Sequence, residues 1–149
     1  MAQPDSNLRD LLTSHAEAWN RHDLETLMSL FAEDCVFEAS GGDEVCGKRY
    51  RGFREVKEAF AGVLKTMPDA HWGDGRHYIL GPDYGVSEWT LTGTLPDGRR
   101  LEVNGCDFLT VRDGKIITVD RVTLTPSDGA DSTRCRQSAI DRARWPPYS

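Results

Sequence analysis

Leu101-Glu102-Val103-Asn104-Gly105-Cys106-Asp107-Phe108-Leu109-Thr110-Val111-Arg112-Asp113-Gly114-Lys115-Ile116 is the stretch from which the fold can be read. Strand side chains alternate between faces, so Leu101, Val103, Gly105, Asp107, Leu109 and Val111 share one side, and Glu102, Asn104, Cys106, Phe108 and Thr110 the other. Asp113-Gly114 is a hairpin signal, because both positions of the favoured two-residue turn need positive φ. Extended sequence resumes over 115–125. Upstream, the same period of two runs through 85–95 and, less regularly, 70–80. Asp97-Gly98 separates the second and third of these four segments, and Gly81-Pro82-Asp83 the first and second.

Before residue 68 the period is 3.6. Leu8, Leu11, Leu12, His15 and Trp19 make an apolar stripe on a first helix that Asp5 or Ser6 can cap. Arg21-His22-Asp23 breaks it, and Asp23 caps a second helix with Leu24, Leu27, Met28 and Phe31 on one face. A short strand, Cys35–Ala39, and a Gly-rich loop over 40–49 follow. Gly52 precedes a third helix with Phe53, Val56, Phe60, Leu64 and Met67 inward, and Pro68 stops it. Helices first and an antiparallel meander second predict an α+β domain with the helices on one sheet face.

The chain has 149 residues, the length of one domain with a proper core, and a net charge of −6. An acidic surface repels phosphate backbones and anionic lipid, which argues against nucleic-acid and membrane partners. No apolar run reaches the ~18 residues of a membrane span. No basic segment followed by an apolar stretch opens the chain, so a cytoplasmic protein is expected. Cys35, Cys46, Cys106 and Cys135 form no CxxC pair and read as reduced thiols; no metal site is expected. There is no phosphate loop, nucleophile elbow or dinucleotide fingerprint, so no cofactor is expected. From Pro126 the patterning is lost, and residues 126–149 read as an irregular tail.

Asp107 is the candidate for chemistry. A carboxyl on an aliphatic row has its charged form disfavoured, which suits it to take a proton or, kept neutral, to donate a hydrogen bond. Its neighbour depends on register. A strict two-residue loop sets Asp107 opposite Asp120, and two carboxyls about 5 Å apart titrate as a coupled pair. A three-residue loop with a bulge shifts the pairing by one and offers Arg121 for an ion pair. His15, on the inward stripe of the first helix, is the second candidate. Burying Trp89 and Leu91 gains more than burying Glu88 and Thr90, at roughly 25 cal/mol per Å², so Trp89 is expected to form a pocket wall beside Asp107. Trp19, Phe37, Tyr50 and Phe60 are possible lining residues. His71 and His77 are expected at the surface.

Ala18-Trp19-Asn20-Arg21-His22-Asp23-Leu24, Leu30-Phe31-Ala32-Glu33-Asp34-Cys35-Val36-Phe37, Tyr50-Arg51-Gly52 and Arg112-Asp113-Gly114-Lys115-Ile116 resemble the NTF2-like superfamily, in its SnoaL-like and ketosteroid-isomerase-like branch. The resemblance runs from about residue 8 to 125 and marks residues 1–125 as that domain. It implies a cone-shaped α+β barrel, a curved sheet wrapped around three helices with a pocket at the wide end, and homodimers through the outer sheet face. It also implies that His15 falls where steroid isomerases carry a pocket tyrosine, and Asp107 near their oxyanion-hole aspartate. Their general base matches Ala39 here, with Glu38 adjacent but on the other face, so this chain departs from that mechanism. The resemblance leaves two expectations. One is a cofactor-independent isomerase- or cyclase-like enzyme acting on a small apolar carbonyl compound, with Asp107, alone or together with Asp120, moving the proton and His15 steadying charge. The other is a module that binds a hydrophobic ligand or dimerises without turnover.

Overall fold

The computed structural model describes residues 4–41 and 44–123. Three helices, α1 (Pro4–Asn20), α2 (Leu24–Ser29) and α3 (Phe53–Thr66), are combined with six strands. The strands are β1 (Phe31–Glu38), β2 (Arg49–Arg51), β3 (His71–Ile79), β4 (Tyr84–Thr94), β5 (Arg100–Arg112) and β6 (Lys115–Thr123). They form one sheet in the order β2-β1-β6-β5-β4-β3. The sheet is curved, and all its pairs are antiparallel except β1 with β6. β2 and β3 end it without meeting, so the cone is open rather than a closed barrel.

α1 lies across β3 and β4, and α3 across β1 and β2. Between helices and sheet Leu12, Leu27, Phe60, Val56, Leu109, Ile116 and Val119 are fully buried. The stripe on α1 works as expected: Leu8, Leu12, His15 and Trp19 all face the core. Helix α1 begins at Pro4, so Asp5 and Ser6 fall in its first turn rather than at its cap. The fixed φ of proline suits that opening position. Asp23 does cap α2, accepting from the Thr26 backbone N–H at 3.1 Å.

Two boundaries differ from expectation. Helix α2 ends at Ser29, and Phe31 opens β1 instead of extending the helix face. Either conformation buries the Phe31 ring, and pairing with Ile116 of β6 selects the strand. Arg49–Arg51, expected to be loop up to residue 49, forms the short edge strand β2 against Val36–Glu38.

The Asp113-Gly114 turn has φ of 51° and 74° and is the two-residue kind, with Arg112 opposite Lys115 and Val111 opposite Ile116. The next pair is Thr110 with Thr118, so Ile117 is an extra residue in β6. A two-residue turn and a bulge therefore occur together, where the expectation tied the shifted register to a three-residue loop. Beyond the bulge Asp107 faces Arg121, and Phe108 faces Asp120. A second irregularity lies in β3, where pairing with β4 skips between Gly73 and Arg76, and Asp74 takes φ 54°. The expected tail, 126–149, and the thiol of Cys135 lie outside the described residues. Cys35, Cys46 and Cys106 are free. Among the described residues no helix is long and apolar enough to cross a membrane.

Candidate functional site

The two irregularities align one polar row across the inner face of four strands. His77 of β3 pairs with Ser87 of β4, Ser87 with Asp107 of β5, and Asp107 with Arg121 of β6. At its β6 end the Arg121 guanidinium donates from Nε to Asp107 Oδ1 at 2.8 Å and from Nη2 to Oδ2 at 3.0 Å. Asp107 is 2 % exposed and Arg121 8 %. The aspartate is thus one half of a bidentate ion pair rather than a lone acid among aliphatics.

Aromatic faces surround the cation. The guanidinium carbon lies 5.1 Å from the Trp19 ring centre, 5.3 Å from Trp89, 5.6 Å from Phe37 and 5.7 Å from Trp72. Rings present their negative faces to a cation, and the effect strengthens where water is excluded. Gly105 makes room for this cage. A Cβ there would fall 2.3 and 2.6 Å from carbons of the Trp89 six-membered ring, so the indole lies flat over β5 only because the residue is glycine. Trp72 is held by Asn20, whose side chain takes the place of a strand partner. Its Nδ2 donates to the Trp72 carbonyl at 2.9 Å, and its Oδ1 accepts from the Trp72 N–H at 2.8 Å.

Two histidines complete the site. Trp19 Nε1 donates to His15 Nε2 at 3.2 Å, so the neutral ring carries its proton on Nδ1. Burial lowers the His15 pKa to about 4, with Arg121 and His77 acting in the same direction and Asp107 opposing. His77 Nδ1 lies 2.8 Å from Ser87 Oγ. Its pKa is lowered as well, first by burial and then by Arg9, whose guanidinium donates to the His77 carbonyl. Both imidazoles are uncharged at neutral pH. Together with Trp19, Trp72, Ser87, Trp89, Asp107 and Arg121 they line a cavity of about 20 Å³. That is room for about one water. Half-buried Ala16 of α1, exposed Gly75 of β3 and exposed Glu88 of β4 complete the lining on its solvent side.

Of the residues singled out by sequence, His15, Trp19, Trp89, Asp107 and Arg121 meet at this cavity, and Phe37 touches it through Arg121. Phe60 is fully buried against Trp19, Phe31 and Phe37, away from the lining. Tyr50 stacks on Phe37 and lies under Lys48. Asp120 is on the opposite face of the sheet, so no Asp107–Asp120 pair exists; the Ile117 bulge turned it outward. There, burial and the neighbouring Glu38 raise its pKa. Glu38 also faces outward and is bridged by Arg49 at 2.7 Å.

His77, Ser87 and Trp72 are the site residues that sequence reading missed. His77 was expected at the surface, yet the irregularity at Gly73-Asp74-Gly75 turns it inward. Two glycines flanking an aspartate inside an otherwise extended run were the available signal.

The SnoaL-like domain model matches residues 12–119. The chain belongs to this family. Among solved structures the SnoaL-like chain is similar to a candidate polyketide cyclase from Xanthomonas campestris pv. campestris, at 23 % identity and TM-score 0.67, covering 80 % of this chain and 92 % of that one. A candidate isomerase from Bacillus subtilis matches at 16 % identity and TM-score 0.71, covering 83 % and 90 %. An NTF2-like protein of unknown function from Mesorhizobium loti matches at 21 % identity and TM-score 0.69, covering 84 % and 97 %. At these identities the likeness is one of fold. No curated protein matches the chain.

Proposed function

We propose that this SnoaL-like protein is a small-molecule enzyme of the isomerase or cyclase type, carrying out acid–base chemistry on an apolar carbonyl compound with side chains alone. The observation behind it is the meeting of two uncharged, buried or half-buried imidazoles with a closed ion pair around one small cavity. His77, unprotonated at neutral pH, takes a proton from the carbon next to the carbonyl. His15, with its proton on Nδ1, steadies the charge that develops on oxygen, as a neutral imidazole can. Asp107 has both oxygens engaged by Arg121. In this reading it is not the proton carrier but half of a fixed dipole that holds the cavity's field.

Proton abstraction can be watched without knowing the product. Cyclohexanone incubated with the protein in D₂O is expected to gain deuterium at its α-carbons by proton NMR, faster than in buffer. General-base help typically contributes ~10²–10⁴-fold, and His77→Asn should remove it. Equal rates with and without protein would end the enzymatic reading. A second reading, binding without turnover, is favoured by the full engagement of Asp107. It predicts ketone binding with no exchange.

A further inference from the structure

The indole Nε1–H groups of Trp72 and Trp89 are buried and have no hydrogen-bond acceptor among the described residues. Both residues line the cavity and are more than nine-tenths buried, at 6 % and 7 % exposed. A buried donor left unpaired is costly, and most native structures avoid it. Here there are two, in residues that share one small space. The Trp19 indole, by contrast, is satisfied by His15.

Donors are in excess around this cavity. Arg121 has five N–H groups, and two are used on Asp107. His15 adds its Nδ1–H. The oxygens of Asp107 already accept from Arg121. What is missing is an acceptor for the two indoles. Charge narrows the class further. Among the lining residues Arg121 and Asp107 cancel, both histidines are neutral and Glu88 is acidic, so the lining offers no uncompensated cation to hold an anion. A carboxylate or phosphate would also face the Asp107 charge in a place where water cannot screen it.

We infer that Trp72 and Trp89 are the groups that receive the substrate's oxygen, and that the substrate is an uncharged ketone or aldehyde rather than an acid. This rests on the small-molecule reading of the site given above. The cavity of about 20 Å³ takes the oxygen end, and the carbon skeleton lies toward the more exposed lining residues Ala16 and Gly75. As the carbonyl becomes an enolate, the two fixed donors bind it more strongly, which is how such groups lower a barrier.

The test uses the full chain labelled with ¹⁵N at tryptophan, its four indole signals assigned through Trp72→Phe, Trp89→Phe and Trp145→Phe. Three probes are titrated: cyclohexanone, methylenecyclohexane (the same shape with no acceptor) and cyclohexanecarboxylate. Cyclohexanone is expected to move the Trp72 and Trp89 N–H protons downfield and leave that of Trp19 in place. Methylenecyclohexane and the carboxylate should each bind about tenfold more weakly, the factor set by one buried hydrogen bond. Replacing Trp89 by its benzothiophene analogue keeps the ring and loses the N–H. It should weaken the ketone and leave methylenecyclohexane unchanged, which covers the case where the Phe variant opens the core. Unmoved indole signals under a saturating ketone, or equal affinity for ketone and alkene, would overturn the inference, a resident water then being the acceptor. Indole shifts without deuterium exchange would uphold it while removing the enzymatic reading. Exchange without indole shifts would do the reverse.

Discussion

His77, Ser87, Asp107 and Arg121 form one cross-strand row, and Tyr78, Val86, Phe108, Asp120 and Glu38 form the next. The rows are one residue apart, yet one faces the helices and the other faces away. Each contains a carboxylate at the centre of the sheet. Inside, Asp107 is bound by a guanidinium that is itself enclosed by four rings. Outside, Asp120 has no cation partner among the described residues and lies beside Glu38, whose own charge is taken by Arg49. The same residue type is thus held in opposite ways, and a single extra residue, Ile117, decides which aspartate goes where. Because side chains alternate, removing that residue would exchange the rows on β6.

The sharpest way to break the contrast is to remove one partner inside. Arg121→Leu leaves the Asp107 charge buried and unpaired, and should cost about 3–5 kcal/mol in urea unfolding. Asp107→Leu/Arg121→Leu removes both charges and should recover most of that loss, since a buried pair is often no better than packed apolar groups. A single variant that costs under about 1 kcal/mol would show that bulk water screens the pair, and it would no longer count as buried. Recovery of stability in the double variant with loss of ketone binding would assign the pair to function.

A smaller effect comes from His15. Its folded pKa of about 4 lies below the ordinary 6.5, so the unfolded chain takes up its proton first as pH falls. Stability from this group is full above pH 6.5, declines between about 6.5 and 4, and is lost once both states are protonated. The shift corresponds to about 3 kcal/mol across that window. The measurement is the difference in urea midpoint between the wild type and His15→Gln as pH is lowered. The variant should show a flatter profile, with a remaining slope from His77, whose pKa is lowered in the same sense. Parallel profiles would mean that His15 titrates alike in the folded and unfolded chain, and the burial that lowers its pKa would fall.

Much of this architecture was legible in advance. The stripe Leu8, Leu12, His15, Trp19 has one reading, because every other phase would bury charge, and the alternation over 101–111 is fixed by its aliphatic row, Leu101, Val103, Leu109 and Val111. Trp89 facing inward followed from the same comparison of areas. The site was legible only in part. Ile116-Ile117-Thr118-Val119 is β-branched throughout, so an apolar residue lands inside in either register, and nothing local marks the bulge. The fold chooses between them through contacts distant in sequence, chiefly Phe31 beside Ile116 and Arg121 onto Asp107. His77 was hidden for the same reason, since it reaches the cavity only after the skip at Gly73–Gly75. Strands announce their faces; the places where a strand changes face are set by its neighbours.

The smallest expected effect lies on the outer row and has the opposite sign. Burial and Glu38 raise the Asp120 pKa, so ionising it works against the folded state. Its contribution is most favourable below the ordinary carboxylate range and is lost as pH rises through the raised value. Asp120→Asn should therefore stabilise the protein at pH 7 by about 0.5 kcal/mol, the scale of a partly screened surface charge. The gain should vanish at acid pH, where the wild-type side chain is itself neutral. Protein concentration extends the test. Val86, Phe108 and Val122 share this face with Asp120, and a second copy packed there, as proposed for a homodimer, would deepen the burial of its carboxylate. The stabilisation by Asp120→Asn would then grow with concentration as the face is covered. A gain that is constant with concentration would leave this face to solvent, and would restrict function to the inner row.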